Sequence, residues 1–220
     1  MANCNCIDQI PIFDILNHEQ KHYVSSLVEQ RSYKAGQTIY IPGDEANSLY
    51  IVSSGRIRIY RLSESGKEQL LRIVIPGEFT GELALFKEGI YEAFAEALDD
   101  VNICMIHHNS FKNLLLKFPR VSIKMLQVLA NRLSSSEEQT AWISTESVRD
   151  RLIHYLVRSS YLNPNKEMIV KLSLPKKDLA SYLGTTPESL SREWTNLLDS
   201  GKIKNIEKNK IKLINLNINY

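Results

Sequence analysis

Residues 186–196, TPESLSREWTN, set polar and charged side chains around a spine of large apolar ones. At about 100° per residue along a helix, Leu190, Trp194 and Leu197 share one side. Glu188, Ser191, Arg192, Thr195 and Asn196 fall on the other. A rigid helix that exposes a carboxylate, hydroxyls, a guanidinium and an amide can lie in a DNA major groove and read base edges. Thr186 reads as the N-cap and Pro187 as the first helical residue, where its missing N–H costs nothing. Thr186, Glu188, Ser189, Ser191 and Arg192 are therefore candidate DNA contacts. Farther on, Lys208 and Lys210 lie in EKNK between two β-like runs, and lysines at a hairpin tip can grip phosphates without reading sequence.

Sulfur offers a second chemistry. The chain has three cysteines, Cys4, Cys6 and Cys104. Thiolates can ligate an iron–sulfur centre, or close a disulfide where Cα atoms come within about 7 Å. Equally, Cys104 can serve as a small core hydrophobe, with the other two inert in a polar lead-in. His18 and His22 stand one helical turn apart, a metal-ligand spacing, but no third ligand accompanies them and they read as a solvated face. His107 and His108 are adjacent, and neighbours on a strand point to opposite faces. No nucleophile–base pairing, phosphate loop or metal cluster is visible, so the sequence does not suggest an enzyme.

The elements that must position these groups follow from periodicity and punctuation. Lys176 to Leu183 puts Leu179, Ala180 and Leu183 on one face of a short helix. Gly184 stops it with a residue that tolerates left-handed backbone angles, and the second helix begins at Pro187, making a helix-turn-helix. Upstream, Val148 to Tyr161 carries a stripe of Leu152, Ile153, Leu156 and Val157, with His154 at its edge. Asn163 to Lys166 reads as a turn and Met168 to Leu174 as a strand. Downstream, Lys202 to Ile206 and Ile211 to Leu216 form the two arms of a wing. From Tyr33 to His108 short β-rich runs alternate with glycines at 36, 43, 55, 66, 77 and 81, the pattern of an antiparallel barrel or jelly roll. His18 to Val28 is helix-like, as is Phe111 to Phe118. Val121, Met125, Val128, Leu129 and Leu133 then mark one long helix with a seam.

At 220 residues the chain has room for one large domain or two small ones, each with its own core. No apolar run approaches the roughly 20 residues of a membrane span, and MANCNCIDQI lacks the basic start and apolar core of a signal peptide, so a cytoplasmic protein is expected. The net charge of +2 is unevenly spread: residues 171–220 carry 9 Lys+Arg against 5 Asp+Glu. That basic end coincides with the helix-turn-helix, as attraction to phosphates requires.

Position by position, Glu188-Ser189-Leu190-Ser191-Arg192 resembles the E-x-x-[SG]-R run of the Crp/Fnr family of bacterial transcription regulators, and its serine resembles the Fnr branch, of the Flp type. The resemblance implies that Glu188, Ser191 and Arg192 contact bases of a TTGAT-type half-site, with Arg192 on a guanine. Glu193 departs from the pattern, since relatives place an apolar residue there. The run KAGQTIYIPGDEANSLYIVSSGRIRIYR and the later Gly81-Glu82-Leu83-Ala84 are similar to the family's cyclic-nucleotide-binding β-roll. In nucleotide-binding members the glutamate accepts a ribose hydroxyl and an R-[ST] pair about ten residues on holds the phosphate. Here those two positions are Glu92 and Ala93, so cyclic AMP would need another cation folded into the site. Glu82 is then expected to hold a strand-to-loop turn by hydrogen bonds. In the Fnr branch a cysteine matching Cys104 and three near the N-terminus hold an oxygen-labile 4Fe–4S cluster. This chain supplies only Cys4 and Cys6 there, one thiolate short, so an iron–sulfur cluster would need a substitute ligand.

The expected fold is α+β: a cyclic-nucleotide-binding-like β-roll (jelly roll) with its lead-in over residues 1–118, a long dimerisation helix over 119–144, and a winged helix-turn-helix over 145–220. The expected function is sequence-specific DNA binding by a homodimer, with double-stranded DNA and RNA polymerase as partners and no membrane. The signal would reach the β-roll through a small molecule or through Cys4, Cys6 and Cys104. Ser134 to Ser136 would lie beside the roll, where effector-binding members contact the ligand. The alternatives are a regulator responsive to cyclic nucleotide, or a β-roll module that acts through a protein partner.

Overall fold

The computed structural model describes residues 7–8, 10–83, 89–207 and 209–214. Cys4, Cys6, Ala84 and Lys208 lie outside them. The chain forms two compact units, residues 1–132 and 133–220.

In the first unit, Asn17 and Gln20 cap each other's backbone N–H at 2.9 and 3.0 Å and open α1, His18–Ser25. Eight strands follow: β1 Val28–Tyr33, β2 Thr38–Tyr40, β3 Ser48–Ser54, β4 Ile57–Leu62, β5 Glu68–Val74, β6 Phe79–Thr80, β7 Phe94–Ala97 and β8 Val101–His107. They make two antiparallel four-stranded sheets, in the orders β1-β8-β3-β6 and β2-β7-β4-β5. Side-chain alternation gives β3 two jobs. Tyr50 and Val52 face inward with Ile57 and Ile59 of β4, Ala95 of β7 and Ile103 of β8. Leu49 and Ile51 face outward with Cys104 and Ile106, and that face is covered by Ile7, Ile10, Phe13 and Val24 from the lead-in and α1. The helix expected to run through Val28 stops at Ser25, because Val28 begins β1 opposite Ile106 and the ladder of β8 takes over its backbone groups.

Two helices leave the roll. In α2, His108–Lys117, Phe111 and Leu114 complete the outer core. Pro119 begins α3, Pro119–Thr145, whose Val121 and Met125 are its buried residues. His108 is the first residue of α2 rather than the last of a strand, so the two histidines part company at the end of β8. His107 lies 3.2 Å from Glu29 Oε1 and 3.3 Å from Ser48 Oγ, tying three strands together.

The second unit holds the last part of α3, then α4 Val148–Arg158, β9 Ser160–Leu162, β10 Met168–Lys171, α5 Lys176–Tyr182, α6 Pro187–Asp199, β11 Ile203–Glu207 and β12 Lys210–Leu213. Its sheet runs β11-β12-β10-β9, antiparallel throughout. Leu152 and Leu156 of α4, Leu179, Ala180 and Leu183 around α5, and Leu190, Trp194 and Leu197 of α6 form one core, closed by Ile203 and Ile211. No helix among the described residues is long and apolar enough to cross a membrane.

Candidate functional site

Two sites emerge, one on the surface of the second unit and one inside the first. The surface site is α6. Thr186 Oγ1 accepts from Ser189 N at 3.2 Å, and Pro187 occupies the first turn. Gly184, between α5 and α6, has φ +64°, and a Cβ there would come within 3.3 Å of Ile143 and Arg151 side chains. Arg151 Nη1 also donates to Leu183 O at 2.5 Å, so the turn is braced from α4. With Leu190, Trp194 and Leu197 buried, Glu188, Ser191, Arg192, Thr195 and Asn196 are all exposed, and Ser189 is half-buried. Hydrogen bonds with its own backbone and with Thr186 hold the Glu188 carboxyl below the usual carboxylate range, so it meets solvent as an acceptor. Arg192 Nη2 lies 3.5 Å from Ser189 Oγ. Glu193 is half-buried and accepts from Asn196 Nδ2 at 3.3 Å. At the wing, β11 and β12 pair from Ile203↔Leu213 to Glu207↔Lys210, and Asn209 takes φ +61° at the tip. Lys210 Nζ is 3.4 Å from Glu207.

The interior site is a cavity of about 560 Å³ in the β-roll. Tyr40 and Tyr91, stacked 3.9 Å apart, form one wall. Burial pushes the Tyr40 phenol up to about 12, and it shares a 2.7 Å hydrogen bond with Thr80. The sequence leaves any cation near Glu82 and Glu92 to be folded in from elsewhere, and the structure supplies two. Antiparallel pairing of β4 and β5 brings Arg61 and Arg72 into the cavity lining with both carboxylates. Arg61 pairs with Glu92 at 2.5 Å. Arg72 donates to Glu82 Oε1 at 3.0 Å, to Thr80 at 3.3 Å and to Phe79 O at 3.1 Å. Arg132, from α3, donates to the same Glu82 oxygen at 3.0 Å and to Phe79 O at 2.9 Å, with its guanidinium 4.3 Å from the Phe79 ring centre. Glu82 is thus a cross-tie between β5, β6 and α3, rather than a local turn lock. The one sequence signal for this was a basic residue interrupting an otherwise apolar strand, RIV at 72–74.

Cys104 is a buried thiol on β8, 1% exposed, among Ile7, Ile10, Leu49 and Phe79. Among the described residues no group of three or more His, Cys, Asp or Glu side chains is placed to hold a metal. Ser135 Oγ accepts from Arg158 Nη2 at 2.8 Å, a contact within the second unit. His154, read as a residue without a task, lies 3.0 Å from Glu146 and beneath the Trp142 ring, 5.4 Å between centroids.

Comparison with known proteins gives two family matches: a cyclic nucleotide-binding domain over residues 30–118 and a Crp-like helix-turn-helix domain over residues 150–217. A probable transcriptional regulator flp of Lacticaseibacillus casei is 31% identical over 211 residues, covering 96% of this chain and 94% of the relative. The cyclic AMP receptor protein of Thermus thermophilus is 29% identical, covering 88% of each. Among solved structures, a mutant of CooA from Carboxydothermus hydrogenoformans superposes with a TM-score of 0.80 at 24% identity, over 92% of this chain and 90% of that one.

Proposed function

The chain belongs to the Crp/Fnr family of transcription regulators, and from that premise we propose that it reads a TTGAT-type palindrome as a homodimer, under a redox or small-molecule signal at the β-roll. The observation that carries the reading is the division of α6: its apolar stripe is buried while Glu188, Ser191 and Arg192 stand exposed on a braced helix. Arg192 would read a guanine through its O6 and N7, with Thr186 and Ser189 at the helix start beside the phosphates and Lys210 and Lys208 gripping the backbone from the wing.

A dimer is favoured by α3. Ile123, Leu126 and Leu133 are 58%, 63% and 62% exposed at coiled-coil spacing, an apolar seam that a second copy would cover. Two α6 helices related by a two-fold match a palindrome. A division into sensor (1–118), dimer helix (119–144) and DNA-binding domain (145–220) suits this role, and RNA polymerase is the further partner we propose. Signal transfer would be a population shift in which the packing of paired α3 helices sets the spacing of the two α6 helices.

For a thiol signal, the supporting observation is that Ile7 and Ile10, which follow Cys4 and Cys6 in sequence, share a core with Cys104. The burial of Cys104 means that the lead-in must lift before the thiol reacts. The test is binding to a TTGAT-N4-ATCAA duplex at fixed salt, with protein reduced and then oxidised. Specific binding supports the regulator reading, and equal affinity for a scrambled duplex counts against it. A redox difference that vanishes in Cys104→Ser makes the thiols the sensor, and equal affinity in both states assigns the signal to the cavity.

A further inference from the structure

The cavity resembles a cyclic-nucleotide site in position but not in chemistry. The residue at the phosphate position is Glu92, already paired with Arg61, and the next, Ala93, has no hydroxyl. The acceptor for a ribose hydroxyl, Glu82, is bonded by two guanidiniums of its own chain. A cyclic phosphate therefore meets an arginine already paired with a carboxylate, and the ribose meets an acceptor already engaged.

We propose that the cavity takes an apolar monocarboxylate, received by Arg72 in exchange for Glu82. This deepens the effector reading of the β-roll and rests on it. Arg72 and Glu82 line the cavity, and Glu82 is the anion that Arg72 shares with a second cation, Arg132. The side chains of Arg72, Arg132 and Glu82 are 26%, 20% and 14% exposed, so water screens the surplus positive charge poorly. Burial, and then the neighbouring Arg72 guanidinium, hold Arg132 below the usual arginine value. The next carboxylate, Glu78, also acts on Arg132, but it is engaged with Ile75 N at 3.2 Å.

A ligand carboxylate on Arg72 leaves Glu82 with Arg132, so the exchange strands no charge. One added anion balances the three. A second would have to displace Glu92 from Arg61 as well, and an amine is opposed by Arg72 and Arg132. The rest of the ligand meets Ile59 within the cavity and Leu71, Leu83 and Ile90 at its mouth, which are 37%, 63% and 60% exposed. Open apolar side chains of this size beside a cavity of about 560 Å³ suit a hydrocarbon or aromatic body. Because Arg132 lies on α3, the exchange also rewrites a contact of that helix.

The experiment is a thermal-shift and calorimetric titration of the full, reduced protein with sodium octanoate and sodium benzoate, against octan-1-ol, succinate and cyclic AMP. At about ten times its Kd, octanoate or benzoate should raise Tm by about 3 °C, and the three comparison compounds by less than about 1 °C. Arg72→Gln should weaken the carboxylate at least about tenfold and Arg72→Lys should restore part of it. Octanol binding as tightly as octanoate, a response to cyclic AMP, an undiminished response in a folded Arg72→Gln protein, or no response to either carboxylate overturns the proposal. If Arg72→Gln does not fold, the comparison of octanoate with octanol and succinate on the wild-type protein decides. Duplex binding, measured separately without any carboxylate, tests the regulator reading by itself.

Discussion

Arg192 and Arg72 carry the same guanidinium into opposite circumstances. Arg192 projects from α6 into solvent, with Ser189 Oγ at 3.5 Å, the far limit of a hydrogen bond. Arg72 is enclosed in the β-roll and gives hydrogen bonds to Phe79 O, Thr80 and Glu82. An exposed cation keeps its donors for a partner that arrives from outside, and its removal barely changes folding. An enclosed one already has internal partners, so a ligand can win it only by exchange. The two units thus handle charge differently: the winged helix displays it, and the roll balances it internally.

Substitutions can sharpen or break that contrast. The largest effect is expected beneath the displayed face: Trp194→Ala, at a position 5% exposed in the core, should destabilise the DNA-binding unit by about 3–5 kcal/mol in denaturant titration. Glu82→Gln comes next, because it leaves Arg72 and Arg132 without their shared anion. We expect the roll to lose about 2–3 kcal/mol, and an unchanged midpoint would show that the cross-tie carries no stability. Arg192→Ala should leave stability within about 0.5 kcal/mol yet cost about 1–3 kcal/mol of discrimination at a TTGAT guanine. Full discrimination by that variant would remove Arg192 from base reading.

Smaller effects belong to the rim. Lys210→Ala should weaken binding to all duplexes alike, about threefold, and reduce the salt slope by about 1. A loss confined to one sequence would contradict a phosphate role. The smallest involves Asp99, whose carboxyl is held below its ordinary value by Arg56, at 2.5 and 2.8 Å. A carboxyl depressed by folding contributes stability above its unfolded pKa of about 3.9, and this is lost as pH falls through the folded value. Asp99→Asn should therefore be slightly less stable than the wild-type protein near pH 7, and the two stability curves should converge as pH falls below about 4.

The recognition helix was legible because its signals are local. Thr186, Pro187 and Gly184 act within a turn of themselves, and the stripe of Leu190, Trp194 and Leu197 is an angular pattern within one helix. The end of α1 was less so: helix-like spacing through Val28 yields to strand pairing with Ile106, a partner far along the chain. Ser135 accepts from Arg158, a partner 23 residues farther along the chain that no local pattern announces.

By itself the sequence determined the order of elements, the exposed face of α6 and the mismatch of Glu92 and Ala93 with a phosphate site, since each depends on near neighbours or on the residue type alone. Only the tertiary structure decided what surrounds those carboxylates. Arg61 meets Glu92 across 31 residues, and Arg132 meets Glu82 across 50. Such pairs arise from strand register and helix docking, where long-range packing sets which side chains share a cavity and no local pattern records the encounter.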